Sequence, residues 1–199
     1  MKRLMILRIV VVLATLVLLV GLNPAAAGRY RSLDLSGSMS GFFVADGGDL
    51  PDLLFYVFES AVGVIDEGYE NLGAPSFSYA GVFIYDMAVL PDPLPEECDP
   101  DMSSSSDYGH GTMFFGEGIL RLEMKSAFSC FIFPDSGPPI IDINASYKIV
   151  GGTGLFKHAR GLLNVTVDGT TGPPNTMTAQ FEGKVHLVLD EVTMMTNDH

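Results

Sequence analysis

The sequence predicts an all-β fold of roughly seven or eight antiparallel strands, closed into a barrel or packed as a sandwich. Apolar and polar side chains alternate with a period of two over most of the chain, and no long stretch shows a helical period. Short runs rich in Gly, Pro, Asp and Ser separate the alternating segments, as turns separate antiparallel strands.

The N-terminal residues 1–27 are predicted to be a cleaved secretory signal peptide. Basic residues come first, an apolar run over residues 9–22 follows, and three alanines, Ala25 to Ala27, then offer a cleavage site. A permanent membrane anchor is the alternative, but a spanning helix needs about 20 apolar residues, and Pro24 ends this run early. We therefore expect a single secreted domain over residues 28–199, extracellular or (in a Gram-negative bacterium) periplasmic, with no stable membrane insertion after cleavage.

The chain is strongly acidic, with 24 Asp and Glu residues against 11 Lys and Arg residues. Three of those positive charges lie in the predicted signal peptide, so the exported chain is more acidic still. Nucleic acids and anionic membrane surfaces would be repelled, which argues against both as partners. The acidity identifies no cationic partner, because acidic residues also serve solubility.

Six segments alternate clearly enough to be assigned as strands. In chain order they are residues 32–39, 76–89, 111–128, 140–150, 162–169 and 177–190, with 53–60 and 130–133 as weaker candidates. The apolar phase of the third segment changes near Gly116 and Gly118, and a β-bulge there would restore it. Such a bulge would redirect Glu117 inward as a candidate acid or base, although an outward Glu is the ordinary alternative.

A long acidic connection, residues 90–108, interrupts the pattern of short turns. Its content of Pro, Ser, Asp and Glu favours a mobile flap or a disordered excursion. Cys98 lies in this connection, and Cys130 lies in a later strand-like segment. In an oxidising compartment such a pair is most simply one disulfide, whereas a buried free pair and a nucleophilic Cys are the alternatives.

A Gly-rich break, GGTGLFKHARG over residues 151–161, separates two strand-like runs. It matches no phosphate-binding loop, because the Walker pattern is missing and Lys157 stands where the dinucleotide-binding fingerprint needs its third glycine. We interpret the break as a sharp connection between two strands. The assigned roles are positive φ at Gly151, Gly152 and Gly154, a plug of the barrel end at Phe156 and renewed strand pairing at Gly161.

The same motif resembles that of the allene oxide cyclase-like barrels, the superfamily that includes the dirigent proteins, and the chain is identified as a secreted member. The matching residues are Gly151, Gly152, Thr153, Gly154, Phe156, Ala159 and Gly161, and Arg160 fits the dirigent version. The resemblance covers about residues 140–190 and implies an eight-stranded antiparallel barrel with a central apolar cavity. It implies no catalytic residue, because the earlier strands, which supply the polar groups of the cavity, do not align.

For function, the sequence favours binding over catalysis. The side chains predicted to line the cavity are Tyr147, Ile149, Phe181, Val185 and Leu187. The leading hypothesis is a barrel that binds a small apolar ligand or a partner. The alternatives are a dirigent-like or cyclase-like isomerase that steers a reactive intermediate, and a structural envelope protein. A dry lining favours binding, whereas a converged carboxylate, Arg or Tyr favours chemistry.

No cofactor and no metal site is predicted, and no catalytic residue is assigned from the sequence. The four histidines lack metal-ligand spacing. Asn144 and Asn164 begin glycosylation sequons at predicted outward positions, which matter only in a eukaryotic secretory pathway. The sequence leaves the oligomeric state open.

We expect the exported protein to begin at Gly28, because signal peptidase requires small residues such as Ala25 and Ala27 just before the cut. N-terminal sequencing of the exported protein checks this. An Ala27→Arg variant should accumulate as the uncleaved precursor. Recovery of wild-type protein with intact Met1 in a membrane pellet would contradict the prediction.

Overall fold

The computed structural model describes residues 29–46, 54–67 and 76–189. Over these residues eight strands form a closed antiparallel barrel in which each strand neighbours the next in the chain. The strands are β1 Arg29–Asp46, β2 Leu54–Glu67, β3 Ser76–Asp86, β4 Ser104–Phe115, β5 Gly118–Ile132, β6 Ile140–Gly152, β7 Arg160–Thr170 and β8 Thr176–Leu189. The predicted eight-stranded barrel is confirmed, and the sandwich is excluded. The predicted signal peptide lies outside the described residues.

The period-two alternation places one row of side chains from each strand inside the barrel. On β7, for example, Leu163, Val165 and Val167 are buried, while Asn164 and Thr166 between them are exposed. Asn144 is exposed in the same way on β6, so both sequons lie on the outer surface. In the described part of the chain, no helix is long and apolar enough to cross a membrane.

The up-and-down strand order gives the barrel two ends with different connections. The β3–β4, β5–β6 and β7–β8 connections lie at one end, which we call the open end. The β4–β5 turn and the β6–β7 connection lie at the other, which we call the closed end. At the closed end Phe156 is fully buried, and its ring centroid lies 5.1 Å from that of Phe115. Phe156 therefore plugs this end.

The Gly-rich connection between β6 and β7 is held against the start of β5. The backbone N–H of Thr153 donates to Ile119 O at 2.9 Å, and Ile119 N donates to Thr153 Oγ1 at 3.2 Å. Gly151 (φ 115°) and Gly154 (φ 56°) adopt the positive φ that the sequence predicts. The expectation of positive φ at Gly152 is wrong: glycine is needed there because a Cβ would overlap the carbonyl oxygen of Ile119.

The end of the same connection leads directly into β7. Ala159 is fully buried, and the Arg160 guanidinium donates to its carbonyl oxygen at 2.8 Å. Gly161 then pairs with Ile149 of β6 and with Val185 of β8. A side chain at Gly161 would overlap the backbone of β8, so its predicted role in restarting strand pairing is consistent with the packing.

The segment 111–128 differs from the prediction of one bulged strand. β4 ends at Phe115 and β5 begins at Gly118, so residues 116 and 117 form a hairpin turn. The inward side chains are at odd-numbered positions at the end of β4 and at even-numbered positions at the start of β5. The change in the apolar pattern therefore marks a reversal of the chain. Glu117 lies in this turn and is exposed. It is not redirected into the barrel.

The predicted Cys98–Cys130 disulfide is present, which excludes the two alternatives with free thiols. The bridge joins the long β3–β4 connection to β5 near the open end. Both cysteines are buried.

The second half of the acidic connection is anchored to the barrel wall beside the disulfide. Asp99 N donates to Phe131 O at 2.8 Å, and Phe131 N donates to the buried Ser103 Oγ at 3.1 Å. β4 then begins at Ser104, so residues 104–108 are strand and not part of the predicted loop. Paired main-chain groups hold this part of the connection in place, unlike the free excursion that its composition suggested.

We expect Gly152→Ala to destabilise the fold by about 1–3 kcal/mol, because the new methyl group overlaps a backbone carbonyl that cannot rotate away. The matched control is Gly116→Ala in the neighbouring turn, where a Cβ would meet nothing within 4 Å. Urea denaturation of both variants measures the difference. Equal loss in the two variants would show that the close approach at Gly152 contributes nothing specific.

Candidate functional site

A carboxylate, Glu59, lies inside the barrel. The alternation of β2 turns Val57, Glu59 and Ala61 inward, while Tyr56 and Phe58 point out. Only 8% of Glu59 is exposed. A buried acid is rare unless it is paired or functional, so this residue marks the candidate site.

Three tyrosines accompany Glu59 in the interior. Tyr79 of β3 donates its hydroxyl to Glu59 Oε2 at 3.2 Å. Tyr85 of β3 and Tyr147 of β6 are buried as well, and burial raises the pKa of all three tyrosine hydroxyls. The negative charge of Glu59 raises these pKa values further. All three therefore keep their protons and can act only as hydrogen-bonding hydroxyls.

Burial raises the pKa of Glu59 from its ordinary value of 4.5 to about 7. The hydrogen bond from Tyr79 acts in the opposite direction, since it favours the charged carboxylate, but its effect is smaller. At neutral pH the protonated and ionised forms of Glu59 are therefore both populated. A carboxyl group with such a pKa can both donate and accept a proton near pH 7.

Two cavities meet at Glu59. The outer cavity, of about 90 Å³, opens toward the open end of the barrel, and among the described residues Glu59 and Tyr85 are the ionisable side chains in its lining. Most of that lining is apolar, including Phe43, Val57, Ile141, Val167 and Met177. The inner cavity, of about 10 Å³, lies deeper and is lined by Glu59, Tyr79, Tyr147 and Phe181 among others. It has room for roughly one water molecule.

The polar groups near the open end add hydrogen-bonding capacity to the outer cavity. Ser129, Thr171 and Asn175 complete its lining. The surroundings are acidic: partial burial raises the pKa of Asp142, and the nearby charges of Asp168 and Glu97 raise it further. These acids lie outside the cavity lining, but the acidity of the chain as a whole disfavours anionic ligands, so the cavity suits a neutral or cationic molecule with a large apolar part.

Of the five side chains that the sequence predicts in the cavity lining, two line an interior cavity and three are packed in the core. Tyr147 and Phe181 line the inner cavity. Ile149, Val185 and Leu187 are almost fully buried in the core and are not among the residues that line the two interior cavities within the described chain. Contact of a ligand with any of the five stays a prediction.

Sequence reasoning missed Glu59 because both faces of β2 are apolar. The outward, even-numbered positions of β2 include Tyr56, Phe58, Val62 and Val64. The inward, odd-numbered positions are also mostly apolar and include Glu59. An alternation argument assigns the acid to the wet face by default. Nothing in the local sequence reverses that assignment.

Among the described residues, no group of three or more His, Cys, Asp or Glu side chains is placed to hold a metal ion. The predicted absence of a cofactor is untested and stays a prediction.

The comparisons with known proteins carry no argument about fold or chemistry. No protein-family model matches the sequence, and no curated protein matches it. Among solved structures, the chain is similar to a pterocarpan synthase dirigent protein, over 82% of this chain and 88% of that one, with 17% sequence identity and a TM-score of 0.40. The eight-stranded barrel is the fold that the resemblance to dirigent-like proteins implied. That conclusion rests on the strand order of the barrel itself and not on a likeness of this degree.

We expect Glu59 to make the fold less stable as the pH rises from 4.5 to 7. Its folded-state pKa of about 7 lies above the ordinary value, so the folded protein holds the proton more tightly than the unfolded chain does. The stability that protonated Glu59 contributes is therefore fully present below pH 4.5 and is lost through pH 7. The difference amounts to about 3 kcal/mol.

Glu59→Gln should remove this loss, since Gln stays neutral and its side-chain oxygen can still accept the Tyr79 hydrogen bond. Denaturation of both proteins at pH 5 and pH 8 measures the effect, with the exposed Glu123→Gln as the control for a surface acid. An unchanged pH dependence in Glu59→Gln would contradict the raised pKa.

Proposed function

We propose that the protein is an exported barrel that binds a small, largely apolar, neutral molecule in its outer cavity, with a polar group of that molecule against Glu59. The observation that carries the proposal is Glu59, which among the described residues is the one carboxyl group in the lining of a mostly apolar cavity that opens at one end. Such a cavity, with few polar groups that converge on one point, is typical of a small-molecule site.

The size of the outer cavity limits the ligand. At about 90 Å³ it is of the same order as an apolar cavity of about 150 Å³ that admits benzene. One ring or a short chain therefore fits beside Glu59, and any larger part of the ligand extends through the open end. Because each buried Å² contributes about 25 cal/mol before association costs, generic probes should bind no better than at micromolar concentrations.

The protonation state of Glu59 couples binding to pH. An apolar ligand displaces water from the floor of the cavity, which disfavours the ionised carboxylate further. A ligand carbonyl or hydroxyl can accept a hydrogen bond from the protonated form only. Affinity for a neutral ligand should therefore be greatest below pH 7 and fall above it.

A second candidate function, an isomerase or cyclase that steers a bound intermediate, is favoured by the same carboxyl group. A pKa of about 7 is close to the optimum for general acid–base catalysis at neutral pH. Glu59 would transfer the proton, and Tyr79, 3.2 Å away, would donate a hydrogen bond to its carboxylate form. The convergence of Glu59 and Tyr79 supports this second function, whereas the mostly apolar lining of the outer cavity supports binding.

For binding, we expect cyclohexanone, whose carbonyl can accept a hydrogen bond from protonated Glu59, to bind the wild-type protein more tightly at pH 6 than at pH 8.5, as measured by titration calorimetry. Gly169→Val should weaken binding at least tenfold, because Gly169 lines the outer cavity and a Cβ there has ordinary contact distances. The matched control, Thr178→Val on the outer surface of β8, should bind like the wild type. Glu59→Gln should bind without pH dependence. Equal affinity in the Gly169→Val variant would overturn the proposed site.

For catalysis, a ketone probe such as cyclohexanone in D₂O tests proton transfer without a known substrate. If Glu59 moves protons on a bound molecule, the protein should speed hydrogen–deuterium exchange at the carbon beside the carbonyl, as followed by NMR. Glu59→Gln should abolish the acceleration while retaining the ligand. Exchange no faster than with Glu59→Gln would exclude the second function for such ligands and leave the binding function standing.

A further inference from the structure

The charged side chains of this protein are segregated along the barrel axis. Eight Lys and Arg residues follow the predicted signal peptide, and six of them lie within residues 121–184. In the described chain, the open end carries acids on five strands and along the acidic connection, and it carries no Lys or Arg. These acids include Asp46, Asp86, Asp142 and Asp168. The positive charge of this acidic chain is therefore kept away from the open end.

Four cations lie together near the closed end, on the outer surface of the barrel. They are Arg121 on β5, Lys148 on β6, Lys157 in the Gly-rich connection and Arg160 at the start of β7, and we call them the basic patch. All four are exposed. Because neighbouring strands lie about 4.8 Å apart, one bound molecule can reach across the three strands that carry them.

Gly151 of β6 lies at the centre of the basic patch. It pairs with Arg121 of β5. A Cβ at Gly151 would lie 3.1 Å from Nη1 of Arg160 and 3.2 Å from the carbonyl oxygen of Lys157. Arg121 and Arg160 therefore flank a position that has no side chain of its own, and an anion above the glycine can contact both guanidinium groups.

The cations of the basic patch have no carboxylate partner within the described chain. Among the Lys and Arg side chains that the structure describes, Lys184 alone has a carboxylate oxygen within 4 Å, that of Asp34 at 3.3 Å. Glu123 pairs with Lys148 across the strands but does not form an ion pair with it. Exposed like charges repel one another, so an external anion would stabilise this surface.

The donors of the basic patch suit a carboxylate group beside an apolar surface. A guanidinium binds both oxygens of a carboxylate through two parallel N–H groups. Arg160 donates through Nη1 to Ala159 O at 2.8 Å, which orients its guanidinium and leaves other N–H groups for a ligand. Leu162, half exposed, pairs with Lys148 and adds an apolar contact next to the charges.

We propose that the basic patch binds a linear polysaccharide that carries carboxylate groups. The carboxylates contact Arg121 and Arg160, and the C–H groups of the sugar rings pack on Leu162. Ile132, at the open end of β5, lies about 35 Å along the strand from Arg121. That distance is several times the screening length of about 8 Å at physiological salt. The acids of the open end therefore do not repel a narrow polymer bound near the closed end.

Two other polyanions fit the basic patch less well. An anionic membrane is charged over its whole surface and would also meet the exposed acids Asp34 and Glu182. Single-stranded nucleic acid needs aromatic side chains on which its bases stack. In the described chain, the exposed aromatic side chains lie on β1 to β4 or, for Phe133, at the open end.

The inference does not rest on the proposed function, because the basic patch and the outer cavity face opposite ends of the barrel. Titration calorimetry with polygalacturonate oligomers tests it, with neutral dextran as the control polymer. The wild type should bind polygalacturonate and not dextran, and more weakly as the salt concentration rises, because salt screens exposed charges.

Arg121→Glu should weaken polygalacturonate binding about tenfold or more, because it replaces an attraction by a repulsion. The matched control is Lys125→Glu, which makes the same change of charge at an exposed position of the same strand outside the basic patch. It should bind within about threefold of the wild type. Arg160→Gln, which removes the other flanking guanidinium, should also weaken binding.

Thermal melting shows whether each variant is folded, and Arg121→Gln replaces Arg121→Glu if the latter is not. Absence of wild-type binding at low salt would overturn the proposal. Equal losses in Arg121→Glu and Lys125→Glu would also overturn it, because net charge alone would produce them. Tighter binding of phosphatidylglycerol vesicles or of single-stranded DNA than of polygalacturonate would overturn it in favour of a membrane or a nucleic acid.

Discussion

Closure of the sheet into a barrel is the constraint on which the other features of this protein depend. Every strand is paired on both sides, and closure turns one face of each strand toward an interior that is largely removed from water. The interior is filled mostly by apolar side chains, from Leu35 on β1 to Leu187 on β8. Any polar group that the alternation turns inward must therefore function without bulk solvent.

The lack of bulk solvent in the interior acts directly on Glu59. Its ionised form has lost hydration and gains one hydrogen bond from Tyr79, which does not compensate for the loss. The same dry interior that raises its pKa also provides an apolar cavity beside it. Affinity for apolar molecules and an acid–base group active near pH 7 thus have one physical origin, and they occur at one place because the outer cavity ends at Glu59.

The closed end of the barrel is tightly packed, whereas the open end gives access to the interior. The closed end contains the Gly-rich connection, Phe156 and the β4–β5 turn, where backbone groups pack too closely for side chains at Gly152 or Gly161. The open end contains the acidic connection, whose second half is held by the Cys98–Cys130 disulfide and by Ser103. Rigid packing at one end leaves the other available for a cavity.

The sequence by itself determined the all-β architecture, the strand-to-strand connection at residues 151–161 and the pairing of the two cysteines. Each of these depends on local information: period-two alternation, a cluster of glycines between two alternating runs, and an isolated pair of thiols in a chain with a predicted export signal. Local information also misled where it was ambiguous. The phase change at residues 116–118 fits a bulge and a hairpin equally well until the pairing of β4 with β5 is known.

Only the tertiary structure decided which face of β2 lies inside. Because apolar residues occupy both the odd- and the even-numbered positions of β2, its orientation depends on its register with β1 and β3 and on closure of the whole sheet. That one choice buries Glu59 and leaves Phe58, Val62 and Val64 on the surface. The candidate site and the exposed apolar side chains of β2 were both hidden from the sequence for this reason, because the orientation of a two-sided strand is a property of the closed barrel and not of the strand.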